Sequence, residues 1–218
     1  MVPILTPQQT QALTLIATTQ LSKQFYFSGG TALAHYYLQH RLSEDLDFFN
    51  LEEFDPQAIV VALKSLQPQL KFLSFDFQSS FNRNLFFLTF ENAYILKLEF
   101  TYYPFTQVEP PTQKDGLMVD SVLDIATNKL FTIAQKPRGR DYFDLFCIIK
   151  KYDYQMDKLR MLAKQKFDWD VDPLQLASRL HEVDKHLDDP ILTRTVEKNE
   201  LTNFFQSEAV RFEKQILK

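Results

Sequence analysis

Two adjacent glycines constrain this chain more than any other feature, because the whole sequence contains only four. Gly29 and Gly30 stand between an aromatic run, Phe25-Tyr26-Phe27-Ser28, and a helix-forming run that opens at Thr31. A glycine pair at such a junction permits a close approach of main-chain amides to a ligand. The helix start behind it offers unpaired N–H groups and a positive dipole end to an anion. Asp45-Leu46-Asp47 then leads into a second apolar strand through Phe48-Phe49. Carboxylates at i and i+2 of a strand share a face, about 7 Å apart along the chain. A phosphate cradle followed by paired acids suggests a metal-assisted nucleotide site. A D-x-D pair by itself is weak evidence, since it also occurs as a solvated strand end.

Flanking elements follow from periodicity and punctuation. Thr6-Pro7 reads as an N-cap followed by proline at the first helical position, with Ala12, Leu13 and Ile16 on one apolar face. Phe25–Phe27 and Asp45–Phe49 are expected strands around a helix from Thr31 to about Gln39. Asp55-Pro56 opens a helix expected to end before Pro68. Strand-like runs follow at Leu70–Gln78, Leu85–Glu91 and Tyr94–Tyr102, the last two joined by a hairpin through Glu91-Asn92-Ala93. Pro104 to Gly116 is proline-rich and polar, and it marks the best boundary between residues 1–116 and 117–218. Beyond it the pattern is helical: from Ser121 through Ala134, from Asp141 to about Tyr152, then Asp157–Phe167, Pro173–His186 and Asn199–Leu217. The last of these places Leu201, Phe204, Phe205, Phe212 and Ile216 on one side.

Composition limits the function classes. With 45% apolar residues, including 21 phenylalanines and 9 tyrosines, a sizeable core is within reach. A net charge of −4 excludes bulk-charge coating of nucleic acid, so any RNA contact needs a local basic patch. The single cysteine, Cys147, lies between Phe146 and Ile148 and reads as a buried residue in a reducing compartment. The N-terminus lacks a signal-peptide pattern, and no apolar run approaches the ~20 residues of a membrane span. A soluble, cytoplasmic protein is expected.

Two further regions carry chemistry. Tyr94, Leu96, Leu98 and Phe100 alternate with Ile95, Lys97, Glu99 and Thr101, so Glu99 lies on a mostly polar strand face. If this strand neighbours the Asp45–Phe49 strand, three carboxylates converge; otherwise Glu99 is an ordinary solvent-facing acid. Lys97 on the same face is read as a solvated lysine rather than a neutralising partner. No acidic residue lies between Asp124 and Asp141, whereas Lys129, Lys136, Arg138 and Arg140 do. That run could hold a triphosphate or an RNA end, or form a solvated helix end with Asp141 as a simple N-cap.

The ordered set Gly29-Gly30-Thr31-Ala32-Leu33, His40-Arg41-Leu42-Ser43-Glu44-Asp45-Leu46-Asp47-Phe48, Asn128-Lys129-Leu130 and Arg140-Asp141-Tyr142-Phe143-Asp144-Leu145 resembles the AbiEii-type nucleotidyltransferases. This group, which includes AbiE and MenT toxins, belongs to the DNA polymerase β-like nucleotidyltransferase superfamily. The resemblance covers most of the chain up to about Leu145. It implies an α+β fold, with a mixed or antiparallel sheet and flanking helices, followed by a helical half that completes the nucleotide cleft. It also implies that Ser28, Gly29, Gly30, Thr31, Arg41 and Lys129 bind the nucleotide. Asp45 and Asp47 would hold Mg²⁺, two ions being expected and Mn²⁺ an alternative, with Glu99 as a third ligand. Lys129 and Asp141 join the two aspartates as catalytic groups. Where some relatives carry serine, Gly30 removes a hydroxyl that Thr31 or Ser28 would replace. The implied reaction is NMP transfer from an NTP to RNA, such as a tRNA 3′ end, or to protein, by a toxin with an antitoxin encoded nearby. The competing readings are an inactive nucleotide- or partner-binding relative and a D-x-D nucleotide-sugar transferase.

Overall fold

The computed structural model describes residues 3–187 and 197–216. They fall into two compact units, Met1–Ser121 and Val122–Lys218. In the first unit α1 (Pro7–Ile16) starts with a complete capping box between Thr6 and Gln9. A short α2 (Leu21–Gln24) leads into β1 (Tyr26–Ser28). The chain enters α3 (Gly29–Leu33) directly at Gly29, whose φ of 75° lies in the left-handed region that favours glycine. A π-helical turn over Ala34–Leu38 extends it and stops at Gln39, itself left-handed. After β2 (Leu46–Asn50) comes α4 (Pro56–Leu70), which Asp55 caps. This helix runs through Pro68 instead of ending before it. Pro68 and Lys64, whose carbonyl loses a partner, are exposed, while Leu66 and Leu70 are buried and anchor the last turn.

The sheet is completed by β3 (Ser74–Ser80), β4 (Arg83–Thr89), β5 (Ile95–Tyr102), β6 (Thr112–Lys114) and β7 (Leu117–Val119). Its order is β3-β4-β5-β2-β1-β7-β6. Pairing is antiparallel except between β2 and β5 and between β1 and β7. The strand expected from Leu70 begins only at Ser74, because Leu70 still closes α4. The expectation of helix throughout residues 117–218 also missed β7, which joins the sheet beside β1. One sheet face is aromatic: Phe27, Phe48, Phe86 and Phe100 are fully buried, and Phe48 stacks on Phe100 at 5.0 Å. Each such side chain contributes about 1.5–3 kcal/mol by leaving water.

The second unit comprises α5 (Val122–Gln135), α6 (Gly139–Tyr152), α7 (Met156–Phe167), α8 (Pro173–His181), α9 (Val183–His186) and α10 (Lys198–Ile216). The single helix expected over Pro173–His186 is interrupted at Glu182, where ψ turns to 5°. Leu130, Ile148, Leu159, Leu176, Phe205 and Phe212 form its core, and Cys147 is buried among its helices. The expected end at Leu217 and the packing of Ile216 lie outside the described residues and side chains. Among the described residues no helix is long and apolar enough to cross a membrane.

Candidate active site

The two parallel strands β2 and β5 place Asp47 opposite Glu99 in register. Asp45 precedes β2 by one residue, and its carbonyl is fixed by a hydrogen bond donated by the Thr31 hydroxyl. Gln9, fully buried, holds the approach to this acid pair from below. Its amide donates to the carbonyls of Ser43 (2.8 Å) and Glu44 (3.0 Å), while its Oε1 accepts from the Thr6 N–H. As a capping residue Gln9 is legible in sequence; its grip on the loop before Asp45 is not.

The glycine pair is built around side chains of the same cluster. A Cβ at Gly29 would overlap Asp47 Oδ2 and lie 3.0 Å from its Cγ. A Cβ at Gly30 would collide with the Arg41 guanidinium and come within 3.2 Å of Ser43 Oγ. The absence of both side chains lets Asp47 lie against the backbone at Gly29 and Arg41 fold over Gly30. Arg41 is buried and donates to the Leu42 carbonyl at 2.9 Å. The hydroxyls expected to replace a serine at position 30 are engaged elsewhere: Thr31 on Asp45, and Ser28 on the buried Asp120 at 2.7 Å. Ser28 therefore does not cap the following helix with its side chain.

Lys97 is not a solvated lysine. Its ammonium donates to Asp45 Oδ2 at 2.9 Å and lies 3.4 Å from Glu99 Oε2. Burial alone would lower its pKa, but Asp45 and Glu99 outweigh that and hold it above the ordinary lysine value. Glu99 is buried and gripped by Arg83 through both carboxylate oxygens, at 2.6 and 2.7 Å, with the Thr101 hydroxyl on Oε1 at 3.1 Å. Burial would raise its pKa, yet the Arg83 hydrogen bonds and charge, with Lys97, keep it below the usual range. No group of three or more histidine, cysteine or acidic side chains able to hold a metal occurs among the described residues. Asp45 and Asp47 by themselves fit a hard cation, because Mg²⁺ is commonly held by one or two carboxylates plus substrate phosphates. The missing side chain at Gly29 supports that fit, because it lets the Asp47 carboxylate lie against the backbone where phosphates are expected.

In the second unit Lys129 and Asp141 do meet. Lys129 Nζ lies 2.7 Å from Asp141 Oδ1 and 2.8 Å from Asp144 Oδ2, both carboxylates being fully buried. Arg138 adds hydrogen bonds to Asp141 at 2.9 and 3.1 Å. Asp141 is not the helix cap, a position taken by Arg138; it is the third residue of α6, in the first turn. Burial would raise its pKa, but the Lys129 and Arg138 charges hold it below the ordinary carboxylate range. The basic run seen in sequence is thus partly neutralised by the two aspartates that follow it. Asp144, spaced i,i+3 from Asp141, is a partner that one-helix-face reasoning could have supplied.

Residues 11–213 match the family described as Nucleotidyl transferase AbiEii toxin, Type IV TA system. An uncharacterized protein of Aquifex aeolicus is 30% identical over 164 residues, covering 73% of this chain and 74% of that protein. The crystal structure of JHP933 from Helicobacter pylori superposes with a TM-score of 0.61 at 22% identity, over 95% of this chain and 90% of that one. A second Helicobacter pylori structure gives a TM-score of 0.62 at 22% identity, over 95% and 94%. These likenesses establish the fold as the α+β, polymerase β-like arrangement that the motifs implied.

Proposed function

This chain belongs to the AbiEii nucleotidyl transferase toxin family, and on that premise we propose that it transfers an NMP from an NTP to an RNA acceptor, releasing pyrophosphate. The observation that carries the proposal is the packing of Asp47 against Gly29 with Asp45 alongside: paired acids and a glycine-opened backbone share one spot. Asp45 and Asp47 would hold Mg²⁺, or Mn²⁺. Bound there, the cation would supply Lewis-acid charge neutralisation at the reacting phosphate and lower the pKa of the acceptor hydroxyl. The protein's part is positioning and electrostatics. Main-chain amides at Gly29, Gly30 and Thr31 orient the phosphates, and Arg41 lies over Gly30 to meet their charge. Thr31 keeps Asp45 in place. The family resemblance assigns Lys129, which is paired with Asp141 and Asp144, to the triphosphate. The acceptor oxygen attacks the α-phosphorus, and the bond from that phosphorus to the β-phosphate bridging oxygen breaks. A tRNA 3′ end fits the family's toxin character, and an antitoxin encoded nearby would be the protein partner, both acting in the cytoplasm.

The test is incubation of purified protein with each alpha-labelled NTP, Mg²⁺ and total RNA. Label should pass to RNA, and Asp47→Asn should abolish the transfer while keeping a native circular dichroism spectrum. No labelled product of any kind from folded protein refutes transfer. Metal-dependent NTP binding without turnover would establish a binding module instead, and an active Asp47→Asn protein would remove the metal assignment.

A further inference from the structure

Three carboxylates, Asp45, Asp47 and Glu99, approach one another on β2 and β5, yet two cations of the chain itself already lie among them. Arg83 occupies both oxygens of Glu99 in a bidentate pair, and Thr101 takes one of them as well. A carboxylate so engaged has few lone pairs directed elsewhere. Lys97 spans Asp45 and Glu99, at 2.9 and 3.4 Å, with its side chain only 23% exposed. Lys97 and Glu99 sit at i and i+2 of β5, so the strand that brings the third acid also brings its counter-ion on the same face.

We propose that Lys97 sets how many divalent cations this site takes, standing between Asp45 and Glu99 where a second ion would otherwise bind. The inference rests on the assignment of Asp45 and Asp47 as metal-holding groups. With Lys97 present, one cation binds through those two aspartates, and Glu99 stays with Arg83 as a support for the strand. A compact ammonium a few ångströms from a dication repels it, and it competes directly for Asp45 Oδ2. Removing that charge while keeping the aliphatic stem frees Asp45 on one side and Glu99 Oε2 on the other. The substitution Lys97→Met does this, and Lys97→Arg preserves the charge.

Titration of unbound Mn²⁺ by electron paramagnetic resonance, in the absence of nucleotide, reads both stoichiometry and affinity without any turnover. The wild-type chain and Lys97→Arg are expected to bind one ion. Lys97→Met is expected to bind with affinity raised by about tenfold or more, or to bind two. Lys97→Gln, uncharged and able to hydrogen-bond to Asp45, provides the same comparison should the methionine variant fail to fold. Equal stoichiometry and affinity in the wild type and the neutral variants overturns the role of Lys97 while leaving the aspartate site intact. Absence of Mn²⁺ binding by all the folded proteins overturns both. Two ions bound by the wild type also overturns it.

Discussion

Replacing Lys129 by methionine should cost about 3–5 kcal/mol of folding stability at neutral pH, the usual penalty for leaving a buried charge without its partner. The magnitude follows from the two carboxylates at its ammonium, 2.7 and 2.8 Å away and both without exposed surface. Asp141 keeps its two hydrogen bonds from Arg138, which limits the loss at that carboxylate. The double variant Lys129→Met/Asp144→Asn removes one of the two buried carboxylate charges that faced the lysine and should recover about 2 kcal/mol or more. Urea unfolding followed by circular dichroism measures both, with an unchanged denaturant slope as the check on two-state behaviour. The pH dependence adds an independent sign. In the wild type the depressed pKa of Asp141 contributes stability that is present above the unfolded value near ~3.9 and lost as pH falls through the folded one. In Lys129→Met the main opposing charge is gone. Burial, the largest influence on Asp141, is then opposed by Arg138 without Lys129, so the folded pKa rises and less of that stability remains. The gap between the two proteins should therefore widen as pH rises through the interval between their folded Asp141 pKa values and then level off. A loss below about 1 kcal/mol, or a double variant no more stable than the single one, would refute the reasoning.

Three other outcomes are expected. Gly29→Ala should destabilise the first unit by about 1–3 kcal/mol and suppress transfer, because its φ of 75° strains alanine and its Cβ would drive Asp47 aside; unchanged transfer and melting temperature would exclude that packing. Lys166 and Asp124 form a pair with both side chains fully buried, at 2.8 Å. Lys166→Met should cost about 3–5 kcal/mol, whereas Lys166→Met/Asp124→Leu should be far less costly, as thermal unfolding would report. Arg83→Ala should raise the Glu99 pKa, since Arg83 is the foremost charge holding it down. Stability that Glu99 contributes above the unfolded pKa near ~4.3 would then be lost at a higher pH on acidification, a shift that carboxylate-resolved NMR titration detects.

Particular residues show what sequence could and could not carry. The glycine pair, the i,i+2 aspartates and the alternation around Glu99 are local patterns, and each imposes its geometry within a few residues. The adjacency of β2 and β5 was a conditional reading, because a strand's partner is decided by long-range packing such as Phe48 on Phe100. Lys97 follows the same rule: a lysine at a strand's polar face looks solvated until the neighbouring strand delivers Asp45 beside it. β6 and β7 escaped notice because three-residue strands carry too little periodicity to register. In the second unit Lys129 and Asp141 were both singled out, but their mutual neutralisation depends on α5 meeting α6, which no spacing within either helix encodes. Pro68 misled in the opposite direction, a strong local stop signal overridden by the burial of Leu66 and Leu70.

The strand order has a consequence for how the protein is made. β1 and β2 form the middle of the sheet, yet both of their outer neighbours, β5 and β7, come later in the chain. During vectorial synthesis the central pair therefore waits with both backbone edges open, one until residues 95–102 have emerged and the other until 117–119. Asp45 and Asp47 wait with it, solvated and without the lysine that later sits beside Asp45. A nascent chain halted before residue 95 carries the aspartates without Lys97 or Glu99, and the open edges of β1 and β2 leave it prone to aggregate. The cluster of Asp45, Asp47, Lys97 and Glu99 is complete only after the sheet has closed from both flanks.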